Sequence, residues 1–443
     1  MSAGRFHLNL SLMTPGHFRG AWRLPGHDPR AIVDIDHFRR LAQQAEAAKI
    51  HAVFLGDSPS SSDAISRAPE GGIDPIVLFA NLFAHTSRIG AIATSSTTYN
   101  EPYNLARRYS GLDHVSGGRT AFNAVTTISP AAAGNFGHTG EPPKAERYAR
   151  AEEFLEVVTA LWDAWDDGAI VADAASGAYA DTSRIHPINH RGEHFSVAGT
   201  LSLPESPQGR PLIVQAGGSP EGIRLGARFA DIVFTVAQTR ERARAFRRDL
   251  AAAALERGRT DGGPITSLGV VVLVAATEEE AARRGDELLT TLDIEAATAG
   301  VLGALGIRPG TLGPDDLVSL DNVGPAAGGS DGFRASTLAL LAEGPLTPRE
   351  LVFRSAGGSG HRLLVGTAEQ VADDLESWFA AGVADGFTIM PADTVIDGPA
   401  FLEQVVPLLQ QRGSFQREYR GSTLRENYGL PFPTRRHDLE VAG

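Results

Sequence analysis

Short apolar runs that end in polar residues or glycine recur along the chain, separated by amphipathic stretches. Phe54-Leu55-Gly56-Asp57, Ala93-Thr94-Ser95-Ser96, Ala121-Phe122-Asn123-Ala124-Val125-Thr126 and Val214-Gln215-Ala216-Gly217-Gly218-Ser219 all follow this pattern. Each begins as a strand covered on both faces should, and finishes in groups that can hydrogen-bond. Residues 6–12 alternate apolar and polar and form a first strand. Further strands are predicted at 52–56, 89–94, 119–126, 211–215, 232–236, 268–275 and 386–390. Helices are predicted at 34–48, 75–84, 102–114, 145–165, 220–229, 240–257, 367–381 and 400–412. In the first of these, Phe38, Leu41, Ala42 and Ala45 share one helical stripe. Pro75 stands at a first helical position, where its missing N–H costs least.

Eight strands alternating with helices give an α/β protein, a TIM (β/α)8 barrel whose C-terminal strand ends converge on one site. Two stretches break the alternation and are expected as insertions on a single domain spanning 1–443. One, near 167–211, is rich in Gly, Pro, Ser and His. The other, near 300–358, contains Gly328-Gly329-Ser330-Asp331-Gly332 and serves either as a lid or as a plain exposed loop.

Composition narrows the chemistry. A length of 443 residues suits one barrel with insertions. With no cysteine, disulfides, thiolate metal sites and a cysteine nucleophile are excluded. The net charge is -13 and no run of five basic residues occurs, so neither nucleic acid nor an anionic membrane is an expected partner. The first residues lack the apolar core of a signal peptide, and no segment offers the ~18 uncharged apolar residues of a membrane span. A soluble cytoplasmic protein is expected.

The candidate chemistry lies at the strand ends. Gly217-Gly218-Ser219-Pro220 joins a strand to a helix: the glycines let backbone approach a ligand, and the helix N-terminus offers free N–H groups to a phosphate. Ser219 caps that helix, and its hydroxyl can also reach the phosphate. An ordinary capped turn is the alternative. Arg147 and Tyr148 open the long helix, where a guanidinium fork and a phenol suit phosphate, although exposed Arg-Tyr pairs are common. Asp57 and Asn123 follow apolar strands, where an unpaired polar group is costly, so each either bonds a ligand or finds a partner in its loop. His17 follows the first strand and can exchange a proton near neutral pH, or else is a surface residue. His186, His190 and His194 recur every four residues, but Pro187 and Gly192 break a helix there, and no metal site is expected. No Gly-x-Ser-x-Gly elbow, Walker loop or dinucleotide fingerprint occurs.

Taken in order, these segments resemble the flavin-dependent monooxygenases of the bacterial luciferase-like superfamily. The branch resembled contains nitrilotriacetate, dibenzothiophene-sulfone and long-chain alkane monooxygenases and pristinamycin synthase. The resemblance covers nearly the whole chain. It is most specific in Tyr103-Asn104-Leu105-Ala106-Arg107-Arg108 through Asn123-Ala124-Val125-Thr126, in His186-Pro187 through Gln215-Ala216-Gly217, and in Gly366-Thr367-Ala368-Glu369-Gln370-Val371-Ala372.

The resemblance implies a TIM barrel and the cofactor FMN, delivered as FMNH2 by a separate NAD(P)H-flavin reductase. It implies transfer of one oxygen atom from O2 to a small organic substrate through a flavin peroxide, by a homodimer or homotetramer. Residue by residue, Asp57 and Thr94 match positions lining the flavin ring and side chain, and Asn123, Val125 and Thr126 match ring-facing positions. Tyr148, Gly218 and Ser219, with Gly217 and Arg147 beside them, match the phosphate end. His17, Phe54, Phe234 and Val236 match the substrate side, with His17 handling protons. Lys144 stands where relatives often carry histidine, and meets a phosphate as a point charge only. A deazaflavin-dependent oxidoreductase of the same fold, or a flavin-binding protein without turnover, would use the same binding residues.

Overall fold

Eight parallel strands close on themselves. They are β1 (His7–Ser11), β2 (Ala52–Leu55), β3 (Gly90–Ser96), β4 (Thr120–Val125), β5 (Leu212–Ala216), β6 (Ile232–Thr235), β7 (Ile265–Val274) and β8 (Gly386–Pro391). Each pairs with the next, and β8 pairs with β1, His7 opposite Gly386. This is the expected TIM barrel. The computed structural model describes residues 4–434 except 261, 309, 314, 326–330, 356 and 358.

The helices lie outside, each held by one apolar stripe. In Ile35–Ala47, Phe38, Leu41, Ala42 and Ala45 are the buried positions, and Asp34 caps the helix by accepting the Asp36 N–H at 3.0 Å. Inside the barrel, Ala52, Ile92, Ala121, Leu212, Val214 and Ile232 pack together with Leu424 and Tyr428. These last two come from the helix Leu424–Tyr428, so residues beyond every barrel strand plug the barrel's N-terminal end. Gly90, at the start of β3, has no room for a Cβ against Leu424. Arg425 holds the plug by donating to Gln208 O at 3.2 Å and to Asp231 Oδ1 at 3.1 Å. With that end blocked, the opposite mouth is where a ligand can enter.

Both irregular stretches carry structure. The first holds two small antiparallel pairs, Ile170–Asp173 with Ala178–Ala180 and His190–Arg191 with Ser196–Val197. The second, expected as a loop or lid, contains the helices Asp331–Ala342 and Pro348–Arg354, which with Ile294–Ala304 and Val318 share their own apolar cluster. Gly328, Gly329 and Ser330 lie outside the described residues. A strand absent from the sequence reading, Arg362–Gly366, pairs with β7 from Val270 to Val274, beyond the reach of β6 on that side. The helix Glu278–Thr291 was also not anticipated. Among the described residues, no helix is long and apolar enough to cross a membrane.

Candidate active site

The C-terminal ends of β1 and β2 open into a cavity of about 1460 Å3. Its wall combines these strand ends with the loop 57–73, the turn 19–23 and the segment 291–297. His17 enters it from the β1 loop. The His17 N–H donates to Pro391 O and the Phe18 N–H to Ala392 O, both at 3.0 Å, which stitches the loop to the end of β8. Gly16, at φ +136°, makes this possible, because a Cβ there would strike the Ala392 backbone.

His17 is not a surface residue: it is 7% exposed, and its Nε2 is enclosed without a hydrogen-bond partner. Burial, and secondarily the neighbouring His361, push its pKa down to about 3, so the ring is neutral at pH 7. His361, at the head of the strand Arg362–Gly366, lies edge-on to His17 with ring centroids 5.8 Å apart. It is half-buried by surface area, yet deep enough that desolvation brings its pKa to about 4. Phe234 lies 5.8 Å from His361, and Phe54 stacks on Phe234 at 6.0 Å with planes 12° apart. Gly269 on β7 makes room for this row, since a Cβ there would press on Phe234 and on His361 Nδ1. Thus three of the four residues matched to the substrate side form one line of rings. Val236 lies just past β6, half-buried.

Asp57 also lines the cavity. Its carboxyl is pushed up to about 6, by burial first and by the charge of Asp74 second, against a lowering hydrogen bond from the Ser58 N–H. Thr94 on β3 and Asn123 on β4, both buried, are register partners. Asn123 Nδ2 donates to Thr94 Oγ1 at 2.9 Å, which leaves Asn123 Oδ1 buried without a partner. Val125 ends β4 with its carbonyl accepting from the Thr97 N–H at 2.9 Å, and Thr126 follows, half-buried.

A third group meets where the helices Lys144–Trp162 and Pro220–Phe229 begin. Ser219 caps the second helix by accepting the Gly222 N–H at 3.2 Å, and donates to the Tyr148 hydroxyl at 3.4 Å. Lys144, one turn before Tyr148, sets its Nζ 3.0 Å from Glu221 Oε2 and holds that carboxylate down to about 2. Gly217 is packed, since a Cβ would meet Gln215 Nε2 at 2.7 Å and Gly222 Cα at 3.3 Å. At Gly218 the nearest atom to a Cβ is Thr235 Oγ1 at 3.9 Å, so no contact within the protein demands glycine there. Arg147 is engaged in its own loop, donating to Glu141 and to Pro142 O, and its Nε is buried without a partner.

The structure therefore brings His17 and Asp57 to the cavity, sets Phe54 and Phe234 in a ring row running from His361, pairs Thr94 with Asn123, and gathers Lys144, Tyr148 and Ser219 at a helix junction. Of the spaced histidines, His186 bonds Asp166 at 3.0 Å and His190 bonds Glu153 at 2.9 Å. His361 is the residue that sequence reasoning missed. Its only local signal is Gly-Ser-Gly-His running into an apolar stretch.

The profile of the family described as luciferase-like monooxygenase matches residues 8–385. The chain is 39% identical over 448 residues to nitrilotriacetate monooxygenase component A of Aminobacter aminovorans, with 97% of each protein covered. It is 37% identical over 437 residues to N-acetyl-S-(2-succino)cysteine monooxygenase of Bacillus subtilis, covering 97% of this chain and 98% of the relative. The solved structure of EDTA monooxygenase from Chelativorans superposes with a TM-score of 0.82 at 36% identity, covering 96% of this chain and 99% of that one.

Proposed function

The chain belongs to the luciferase-like monooxygenase family, and on that premise we propose that it is the oxygenating component of a two-component FMN-dependent monooxygenase. The observation that carries the proposal is a set of buried polar atoms without partners. Asn123 Oδ1 and Arg147 Nε are enclosed with no hydrogen bond from the chain, and Gly218 stands beside open space at a helix N-terminus. Leaving such groups unsatisfied costs about 1–3 kcal/mol each, so a ligand with a polar ring edge and a phosphate suits them. The fit to FMN is good.

In this reading Ser219, Tyr148 and the first turn of Pro220–Phe229 hold the phosphate, with Lys144 neutralising Glu221 so that no free carboxylate repels it. Asn123, paired to Thr94, presents Oδ1 to the polar edge of the ring system, and Asp57 bounds the ring from the cavity side. When bound, reduced FMN supplies two electrons with which one atom of O2 enters the substrate and the other leaves as water. Phe54 and Phe234 cover the reacting region and keep bulk water out. Neutral His17 holds a proton at a ring nitrogen beside the cavity.

A relative named as component A supports a separate reductase as the source of FMNH2. Nitrilotriacetate, N-acetyl-S-(2-succino)cysteine and EDTA, named for relatives at 36–39% identity, make carboxylate-bearing compounds the first substrates to try. The test supplies the protein anaerobically with FMNH2 or with a reduced deazaflavin, then admits O2 and each compound. Substrate-dependent oxygenated product with FMNH2 is expected. Consumption of the deazaflavin alone would transfer the protein to hydride chemistry, and binding of either without turnover would make it a carrier.

A further inference from the structure

Most enclosed imidazoles in this protein are spoken for. His27 bonds Asp393 at 3.0 Å, His37 bonds Thr14 at 3.0 Å, His7 bonds His51 at 3.1 Å, and His114 bonds Pro204 O at 3.1 Å. His17 and His361 differ. Both line the cavity, their rings are 5.8 Å apart at 78°, and His17 Nε2 and His361 Nδ1 are each enclosed with no hydrogen-bond partner. The arrangement is held in place: His17 by the backbone bonds to β8 across Gly16, His361 by the strand Arg362–Gly366 and by the space left at Gly269. Leaving two buried ring nitrogens unsatisfied destabilises the pocket, and a ligand bonding both would remove that cost.

We infer that His17 and His361 together form the polar grip of the substrate pocket and bind a carboxylate of the substrate, with His361 as a specificity-determining residue. This rests on the proposed monooxygenase reading only in calling the ligand a substrate. A carboxylate has two oxygens and about four acceptor sites, so it can take an N–H from each imidazole. The turn 19–23 that follows His17 also brings Arg23 to the cavity, its guanidinium donating to Thr291 O at 3.1 Å. Among the described residues, Arg23 has no carboxylate within ion-pair distance. The wall's own carboxylates are accounted for in three ways. Asp293 pairs with Arg67, and Glu70 pairs with Arg19 at 3.8 Å and with the Ser62 hydroxyl at 2.9 Å. Asp63 and Glu295 are exposed to water, which screens them. Asp57 stands apart from both, bounding the cavity at the end of β2.

Calorimetric titration of the flavin-free protein with nitrilotriacetate, and with its neutral triamide, tests this grip. Wild type should bind the triacid and bind the triamide at least about tenfold more weakly, as loss of a hydrogen bond to a charged group implies. His361→Phe keeps a ring against Phe234 but has no nitrogen, and should lose about tenfold in affinity for the triacid. His361→Asn, whose amide nitrogen falls near Nδ1, should recover part of it. Equal binding of acid and amide, unaltered triacid affinity in His361→Phe, or no binding of the triacid to wild type would each overturn the inference. FMN binding, followed by flavin fluorescence, should be alike in all three proteins. If no FMN binds while the triacid result holds, the flavin reading has failed and the grip stands; the reverse pattern separates them the other way.

Discussion

Lys144 Nζ lies 3.0 Å from Glu221 Oε2, linking the first turns of two successive helices on either side of Ser219. Both side chains are about one-third exposed or more, so the pair adds ~0–1 kcal/mol to stability. Its larger effect is on charge. Lys144→Met leaves the Glu221 carboxylate opposed only by the more distant Arg224, at 3.9 Å, near the proposed phosphate position and should weaken FMN binding by roughly 1 kcal/mol, with little change in melting temperature. Adding Glu221→Gln should restore the affinity. A double variant that binds FMN as poorly as Lys144→Met would show that the charge balance is irrelevant there.

Gly218 and Ser219 give a paired test of the phosphate cradle. Gly218→Ala has free space for its methyl group in the flavin-free protein and should fold normally, yet bind FMN at least about tenfold more weakly because the methyl occupies the approach. Ser219→Ala removes the cap on Gly222 N–H and one hydrogen bond to charge, worth roughly 1.5–3 kcal/mol at most. It should weaken FMN by about 1 kcal/mol or somewhat more. Unchanged flavin affinity in both variants, read by fluorescence titration, would remove this turn from the site.

His17→Ala should separate oxygen transfer from flavin binding. His17 lines the cavity, while Ser219 and Tyr148 lie elsewhere, so FMN affinity should stay near wild type. Oxygenated product per FMNH2 should fall and hydrogen peroxide should rise, by about 10²–10⁴-fold in productive rate if the ring moves a proton. Coupling close to wild type would mean that His17 only shapes the wall.

Stability in acid should carry the mark of His17. Its pKa is about 3 in the folded protein, against roughly 6.5 in an unfolded chain. The unfolded state binds the extra proton between these values, so this contribution is complete above pH 6.5 and is lost as pH falls toward 3. Asp57, raised to about 6, acts in the opposite sense, favouring the folded state as pH drops. His17→Phe should therefore flatten the acid limb of a urea-unfolding series, by about 3 kcal/mol between pH 6.5 and 4 at one pKa unit per 1.4 kcal/mol. Parallel curves for the two proteins would count against the burial argument.

Local pattern was enough for much of this molecule. The stripe Phe38, Leu41, Ala42, Ala45 and the cap Asp34 were readable because a helix is built from contacts within a few residues. All eight barrel strands were readable from apolar or alternating runs, but β7 begins three residues earlier than expected. Ile265-Thr266-Ser267 looks like a turn until Thr266 N–H meets Asp385 Oδ2 and Ser267 bonds Thr388, more than a hundred residues away. The strand Arg362–Gly366 escaped notice for the same reason, since its order comes from β7. His361 was lost with it. What brings that ring to His17 is a pairing between distant segments, which no window of sequence displays.

The plug formed by Leu424 and Tyr428 bears on how the protein comes into being. Every barrel strand leaves the ribosome before residues 424–428, so the nascent wall exists for a time with an unfilled floor. At a synthesis rate of roughly 5–20 residues per second the interval between β8 and the plug is a few seconds. During it, Ile92, Ala121, Leu212 and Ile232 face an open end, and Gly90 keeps a space that only Leu424 fills. Completion of this barrel thus waits on a short helix at the end opposite the cavity, and a chain truncated just before it would carry all eight strands with its interior unsealed.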